Sequence, residues 1–97
     1  MQFLNDISLS NDQLKTITDM GELLTPPEQV AIEVDINEEI FLSCLTTVGN
    51  PIRIAYIKGM AKTEKVLRTA AIDSASAGSP AAMEQCMTFL RNITHKL

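Results

Sequence analysis

Few residues in this chain could carry out covalent or metal chemistry. Two cysteines, Cys44 and Cys86, stand far apart, each among apolar neighbours at helical spacing. That setting predicts buried thiols in a reducing compartment, with a disulfide or a metal site as the lesser alternatives. His95 has no second histidine nearby, and no group of residues has metal-ligand spacing. The glycines in Gly49-Asn50-Pro51 and Gly78-Ser79-Pro80 have the form of helix stops rather than of a phosphate loop. The expectation is a protein with no catalytic residues, no metal and no cofactor, and not an enzyme.

The chemistry that the pattern does offer is ionic. Lys58, Lys62 and Lys65 follow at i, i+4 and i+7, so they share one helix face, and Arg68 extends that face from the side. Such a ridge suits phosphate contacts. It also suits the acidic half of a neighbouring subunit, and a plain solvated helix face is the third reading. The net charge of −4 and a pI near 4.8 argue against a simple nucleic-acid-coating protein. The average conceals a split. Residues 1–49 hold nine acidic side chains against one basic, a net of −8, and residues 50–97 hold seven basic against three acidic, a net of +4. If the acidic half of one copy met the basic half of another, the contact would be heterologous and could close into a ring.

The elements that must position these charges are helical. With 97 residues, 45% of them hydrophobic and 21% charged, the chain reads as one domain with an ordinary soluble composition. It has three Phe, one Tyr and no Trp, so its core rests on Leu, Ile, Val, Ala and Met. No apolar run approaches the ~20 residues of a membrane span. The start lacks the basic and apolar regions of a signal peptide, so a cytoplasmic setting is expected. Residues 1–9 read as an N-terminal arm. Ser10 and Gln13 form a capping box for a first helix over about 11–23, with Leu14, Ile17 and Leu24 on its apolar face. Thr25-Pro26-Pro27-Glu28 reads as a second capping box, with Val30, Ala31 and Val34 inward. Asp35 reads as the N-cap of a third helix whose inner face is Ile36, Ile40, Phe41, Cys44, Leu45 and Val48. Asn50 and Pro51 start a fourth helix that runs to about Ala77. Gly78, Ser79 and Pro80 then start a fifth, with Met83, Met87, Leu90 and either Ile93 or Thr94 as its stripe. Gly59 inside the long helix predicts the close approach of another helix, and the small residues Ala70, Ala71, Ala75 and Ala77 predict a close hairpin with the last one. The expected fold is all-α, five helices, with a helix-turn-helix over 10–48, an unrelated helical packing being the alternative there, and a long-helix αα-hairpin over 50–97. In the helix-turn-helix, Ala31 is the small crossing residue, Val34 and Ile36 flank the turn, and Phe41 and Cys44 hold the second helix inward.

The order of segments carries a resemblance. The helix-turn-helix is followed by Asn50-Pro51, then Ala55-Tyr56-Ile57-Lys58-Gly59-Met60-Ala61, a helical stretch with Leu67-Arg68, then Ala77-Gly78-Ser79-Pro80-Ala81-Ala82-Met83 and Phe89-Leu90-Arg91-Asn92. Over about residues 22–93 this resembles small terminase subunits of tailed phages and related homeodomain-like phage proteins. The resemblance implies a DNA-packaging role without chemistry of its own. It further implies recognition of double-stranded viral DNA, self-association as a dimer or ring, contact with a terminase large subunit, and residence in a bacterial host cell. The recognition helix would be residues 36–47, with Asn37, Ser43 and Thr46 among its outward positions, and Lys58, Lys62, Lys65 and Arg68 as further DNA-contacting residues. Three features differ from the family pattern: Asp35 stands at the tight-turn position usually held by Gly, the recognition helix carries Glu38-Glu39 and no Lys or Arg, and the chain ends soon after helix 5. A helical interaction module without DNA binding, or a small phage transcriptional regulator, are the alternative readings.

Overall fold

A computed structural model describes residues 9–96 of the chain. Five helices follow in order, α1 (Asn11–Glu22), α2 (Pro27–Glu33), α3 (Glu38–Leu45), α4 (Pro51–Ser76) and α5 (Pro80–Lys96), and no strand occurs among the described residues. The all-α expectation therefore holds. The expected arm at 1–9 lies outside the described residues, except for Leu9, which packs against the core. The chain divides into two compact units, Met1–Thr63 and Glu64–Leu97, so the division falls inside α4 rather than at Gly49.

The N-terminal unit is built on a continuous apolar core. Ile17 of α1, Val30 and Ala31 of α2, Phe41 and Cys44 of α3 and Ile52 of α4 are fully buried. Leu14, Met20, Ile36, Ile40, Leu45 and Met60 pack partly buried against them. α1 begins as the sequence predicts. The Gln13 backbone N–H donates to Ser10 Oγ at 3.0 Å, and the Ser10 backbone N–H donates to Gln13 Oε1 at 2.9 Å. Asn50, itself buried, caps α4 by accepting from the Ile52 backbone N–H at 2.9 Å.

Where α1 meets α4, glycines permit near-contact of the two backbones. A Cβ placed on Gly59 would stand 2.0 Å from the carbonyl oxygen of Thr18, and one on Gly21 would stand 2.5 Å from that of Tyr56. The closeness expected at Gly59 is thus met by α1, with a second glycine on the facing helix. The Thr63 hydroxyl donates to the Glu22 carbonyl beside this crossing.

Several local expectations are corrected. α1 and α2 both end in a Schellman arrangement, with the residue after the cap in the left-handed region. In α1 that residue is Leu24 (φ +59°), with Thr25 N–H donating to Met20 O and Leu24 N–H to Gly21 O, both at 3.0 Å. Pro26 forces Thr25 towards extended backbone, so the helix must stop before it, and Leu24 takes the turn instead of packing inward. In α2 it is Asp35 (φ +58°), with Ile36 N–H donating to Ala31 O at 2.9 Å. A left-handed residue cannot also be an N-cap, which needs extended backbone. The cap of α3 is therefore Asn37, whose side chain accepts from the Ile40 backbone N–H at 3.2 Å, and the helix spans Glu38–Leu45 rather than 36–47. α2 begins at Pro27 with Pro26 as its cap residue, and the capping box expected at Thr25 does not form, since no side chain caps this helix. Val48 lies beyond the end of α3 and is 88% exposed.

The C-terminal unit is a hairpin of the second part of α4 with α5. Ala71 is its sole buried apolar residue among those described, and no residue of α5 is buried. The seam is made by small residues, as expected: Ala71 and Ala75 on α4, and half-buried Ala82 and Cys86 on α5. Ala70 and Ala77, also expected in the seam, are exposed. Because the seam runs through 82, 86 and 89, with Ile93 next along the same line, Met83, Met87 and Leu90 of the predicted stripe stand to one side of it. These four residues are about half exposed, and they are not the core of α5.

Candidate nucleic-acid interface

The sequence-predicted DNA residues fall into three groups. Asn37, Ser43 and Thr46 belong to α3 and its caps. Lys58 and Lys62 lie on the part of α4 in the N-terminal unit, and Lys65 and Arg68 on the part in the C-terminal unit.

α3 is held inward by Phe41 and Cys44, which leaves the opposite face outward. Ser43, half-buried, and Thr46, exposed, lie on that face, and Asn37 is exposed as the N-cap at the start of the helix. Their polar atoms already have local work. The Asn37 side-chain oxygen caps α3, and the Thr46 hydroxyl donates to the carbonyls of Leu42 (3.2 Å) and Ser43 (3.0 Å). The amide nitrogen of Asn37 and the hydroxyl oxygens of Ser43 and Thr46 are what α3 presents to a polar partner, besides Glu38 and Glu39. Those two glutamates occupy the first turn, where the helix dipole favours a carboxylate. They have a structural reason to be acidic that needs no partner, and they set a negative potential at the end of α3 that a recognition helix points at base edges.

The cations of α4 are not equivalent. Lys62 Nζ stands 3.8 Å from a Glu22 carboxylate oxygen, an exposed and therefore weak pair. Arg68 is more committed. Its guanidinium pairs with Glu64 one turn earlier at 2.9 Å and lies over the Phe89 ring, 4.1 Å from the centroid. Lys58 and Lys65 are exposed and form no ion pair among the described residues. Sequence reasoning placed all four on a ridge. It did not reveal Glu22 or Phe89 as partners, because both contacts join residues distant in the chain.

Sequence reasoning also missed a set of long-range hydrogen bonds that fix the α2–α3 pair in place. Gln13 Nε2 donates to Val34 O at 3.1 Å, at the end of α2. Arg53 Nη1 donates to Leu45 O at 2.9 Å, at the end of α3. The Tyr56 hydroxyl donates to Thr25 O at 2.7 Å, in the connection between α1 and α2. Each satisfies a carbonyl that a helix end or a connection leaves without a partner. Burial raises the Tyr56 hydroxyl pKa above its usual 10.0, and the Glu28 carboxylate adds to the effect. Arg53 is thus a basic residue used for architecture rather than display.

No metal-binding group of His, Cys, Asp and Glu occurs among the described residues. Cys44 is buried in the core of the N-terminal unit, and Cys86 is half-buried in the C-terminal unit. No described helix is long and apolar enough to cross a membrane. No protein-family model, curated protein or solved structure matches the chain.

Proposed function

We propose that this chain is a small helix-turn-helix DNA-binding protein of the phage small-terminase type, which recognises double-stranded viral DNA for packaging and works as an oligomer. A terminase large subunit is the further partner that this reading implies. The supporting observation is the turn between α2 and α3. Its tight position needs a left-handed residue, and Asp35 takes that conformation at φ +58° in place of the usual Gly. Aspartate tolerates this region better than most side chains. The sequence departure at Asp35 therefore does not disturb the geometry that a helix-turn-helix requires.

In this reading Asn37, Ser43 and Thr46 face the bases, and Lys58, Lys62, Lys65 and Arg68 supply phosphate contacts. Lys58 and Lys65 do so without giving up an internal ion pair, so they carry more of the affinity than Lys62 and Arg68. A second reading, an interaction module without DNA binding, is favoured by the carboxylates of Glu38 and Glu39 and by the internal commitments of Lys62 and Arg68. A mobility-shift titration with duplex DNA at low salt separates the two. Binding that weakens steeply with salt, and whose salt slope falls by about 1 in Lys58→Ala, supports the DNA reading. No shift of the duplex even at about 50 mM salt removes it.

A further inference from the structure

The C-terminal unit leaves an apolar stripe uncovered. Met83, Met87 and Leu90 follow along α5 at spacings of four and three residues, with Thr94 four residues beyond, which is the spacing of a helix–helix seam. Met87 is 52% exposed and Leu90 56%. Beside the stripe an apolar groove of about 340 Å³ opens between Ile72 of α4 and Cys86, Phe89, Leu90 and Ile93 of α5. A 34-residue hairpin with one buried apolar residue among those described is below the size at which a chain segment usually holds its own core.

We infer that α5 of a second copy of this chain covers this stripe, antiparallel and about a two-fold axis. The charges flanking the stripe select this occupant. Glu84 and Arg91 lie one heptad apart on the same side of it, and neither makes an ion pair among the described residues. When two α5 helices run antiparallel with Met87 opposite Leu90 of the partner subunit, Met83 meets Thr94 of the partner subunit. Glu84 then faces Arg91 of the partner subunit, and the two-fold axis makes that pair twice. A parallel pair would set Glu84 beside Ser79 of the partner subunit and Arg91 beside Cys86, with no charge matched. In the antiparallel pair Ile93 of the partner subunit falls next to Cys86 and enters the groove. The inference rests on the self-association in the proposed function and names the surface that performs it. It does not depend on DNA binding.

Sedimentation equilibrium of the full chain over a micromolar concentration series tests it. Wild type is expected to dimerise through α5. Glu84→Arg and Arg91→Glu are each expected to weaken that dimer on the order of tenfold, because each replaces two attractions by two repulsions. The double variant E84R/R91E restores the attraction and the dimer, which a fold defect would not do. Ile93→Cys provides a second, geometric readout. Within one helix, residues 86 and 93 are about 10 Å apart and cannot be bridged, so mild oxidation yields a covalent dimer through Cys86 of one copy and the new cysteine of the other. A wild type that stays monomeric at every concentration overturns this inference together with the oligomeric part of the proposed function. An oligomer that ignores the charge swaps, or a covalent dimer of I93C that persists when Cys86 is replaced by Ser, overturns the antiparallel α5 pairing alone.

Discussion

The two units reach order by different means. In the N-terminal unit, four helices share a core of fully buried side chains, two glycines let α1 and α4 touch, and side chains from distant positions close the carbonyls at the helix ends. In the C-terminal unit the described hydrogen bonds stay within single helices or their caps, one aromatic–guanidinium contact joins the two helices, and Met83, Met87, Leu90 and Ile93 of α5 are about half exposed. The first unit has the internal packing expected of an independent folding unit. The second has one buried apolar residue among those described. Buried apolar side chains and side-chain hydrogen bonds between elements are therefore concentrated in the N-terminal unit.

Substitutions should expose this difference, and the largest effect is expected at the centre of the first core. Phe41→Ala should cost about 3–5 kcal/mol in urea unfolding followed by far-ultraviolet circular dichroism, because it empties a fully buried site. Gly59→Ala comes next, at about 3 kcal/mol, since the added methyl meets the backbone of Thr18 rather than a side chain that could move aside. Tyr56→Phe should cost about 1 kcal/mol by leaving Thr25 O without its donor. The same residue gives a pH signature. Its raised pKa means that the folded state holds the phenolic proton more tightly than the unfolded state does. Its contribution is complete below pH 10 and fades as pH rises through the folded value, so wild type should lose an alkaline increment of thermal stability that Tyr56→Phe lacks. Asp35→Gly should gain about 1 kcal/mol by relieving a non-glycine left-handed residue. Leu90→Ser marks the other side of the comparison. It should change the unfolding free energy of the dilute monomer by less than about 0.5 kcal/mol, while a concentrated sample loses its dimer.

Much of the fold is written locally. Ser10 and Gln13 announce the start of α1, Asn50 and Pro51 that of α4, and Gly78, Ser79 and Pro80 the passage from α4 to α5. Each signal works within three or four residues of chain. The α2–α3 turn is less legible because Asp35 and Asn37 are both good caps. The choice between them depends on how α2 ends, since its Schellman closure takes Asp35 for the left-handed turn and leaves Asn37 as the first residue free to cap. Periodicity shows that α5 has an apolar stripe but not which side meets α4. Small residues set the closest approach, so the methionines were displaced from the expected core to the surface. The partners of the basic residues were the least legible. Glu22 for Lys62, Phe89 for Arg68 and Leu45 O for Arg53 are neighbours only after folding.

One measurement examines both the proposed DNA contact by α3 and the α4 cations and the proposed self-association through α5. A fluorescently labelled duplex is titrated with the full chain at about 50 mM salt and followed by sedimentation velocity. The predicted result is a DNA-bound species that contains at least two chains. In Arg91→Glu the complex should form only at higher protein concentration, and in E84R/R91E it should return to the wild-type range. A duplex that sediments unchanged at every protein concentration would contradict the account.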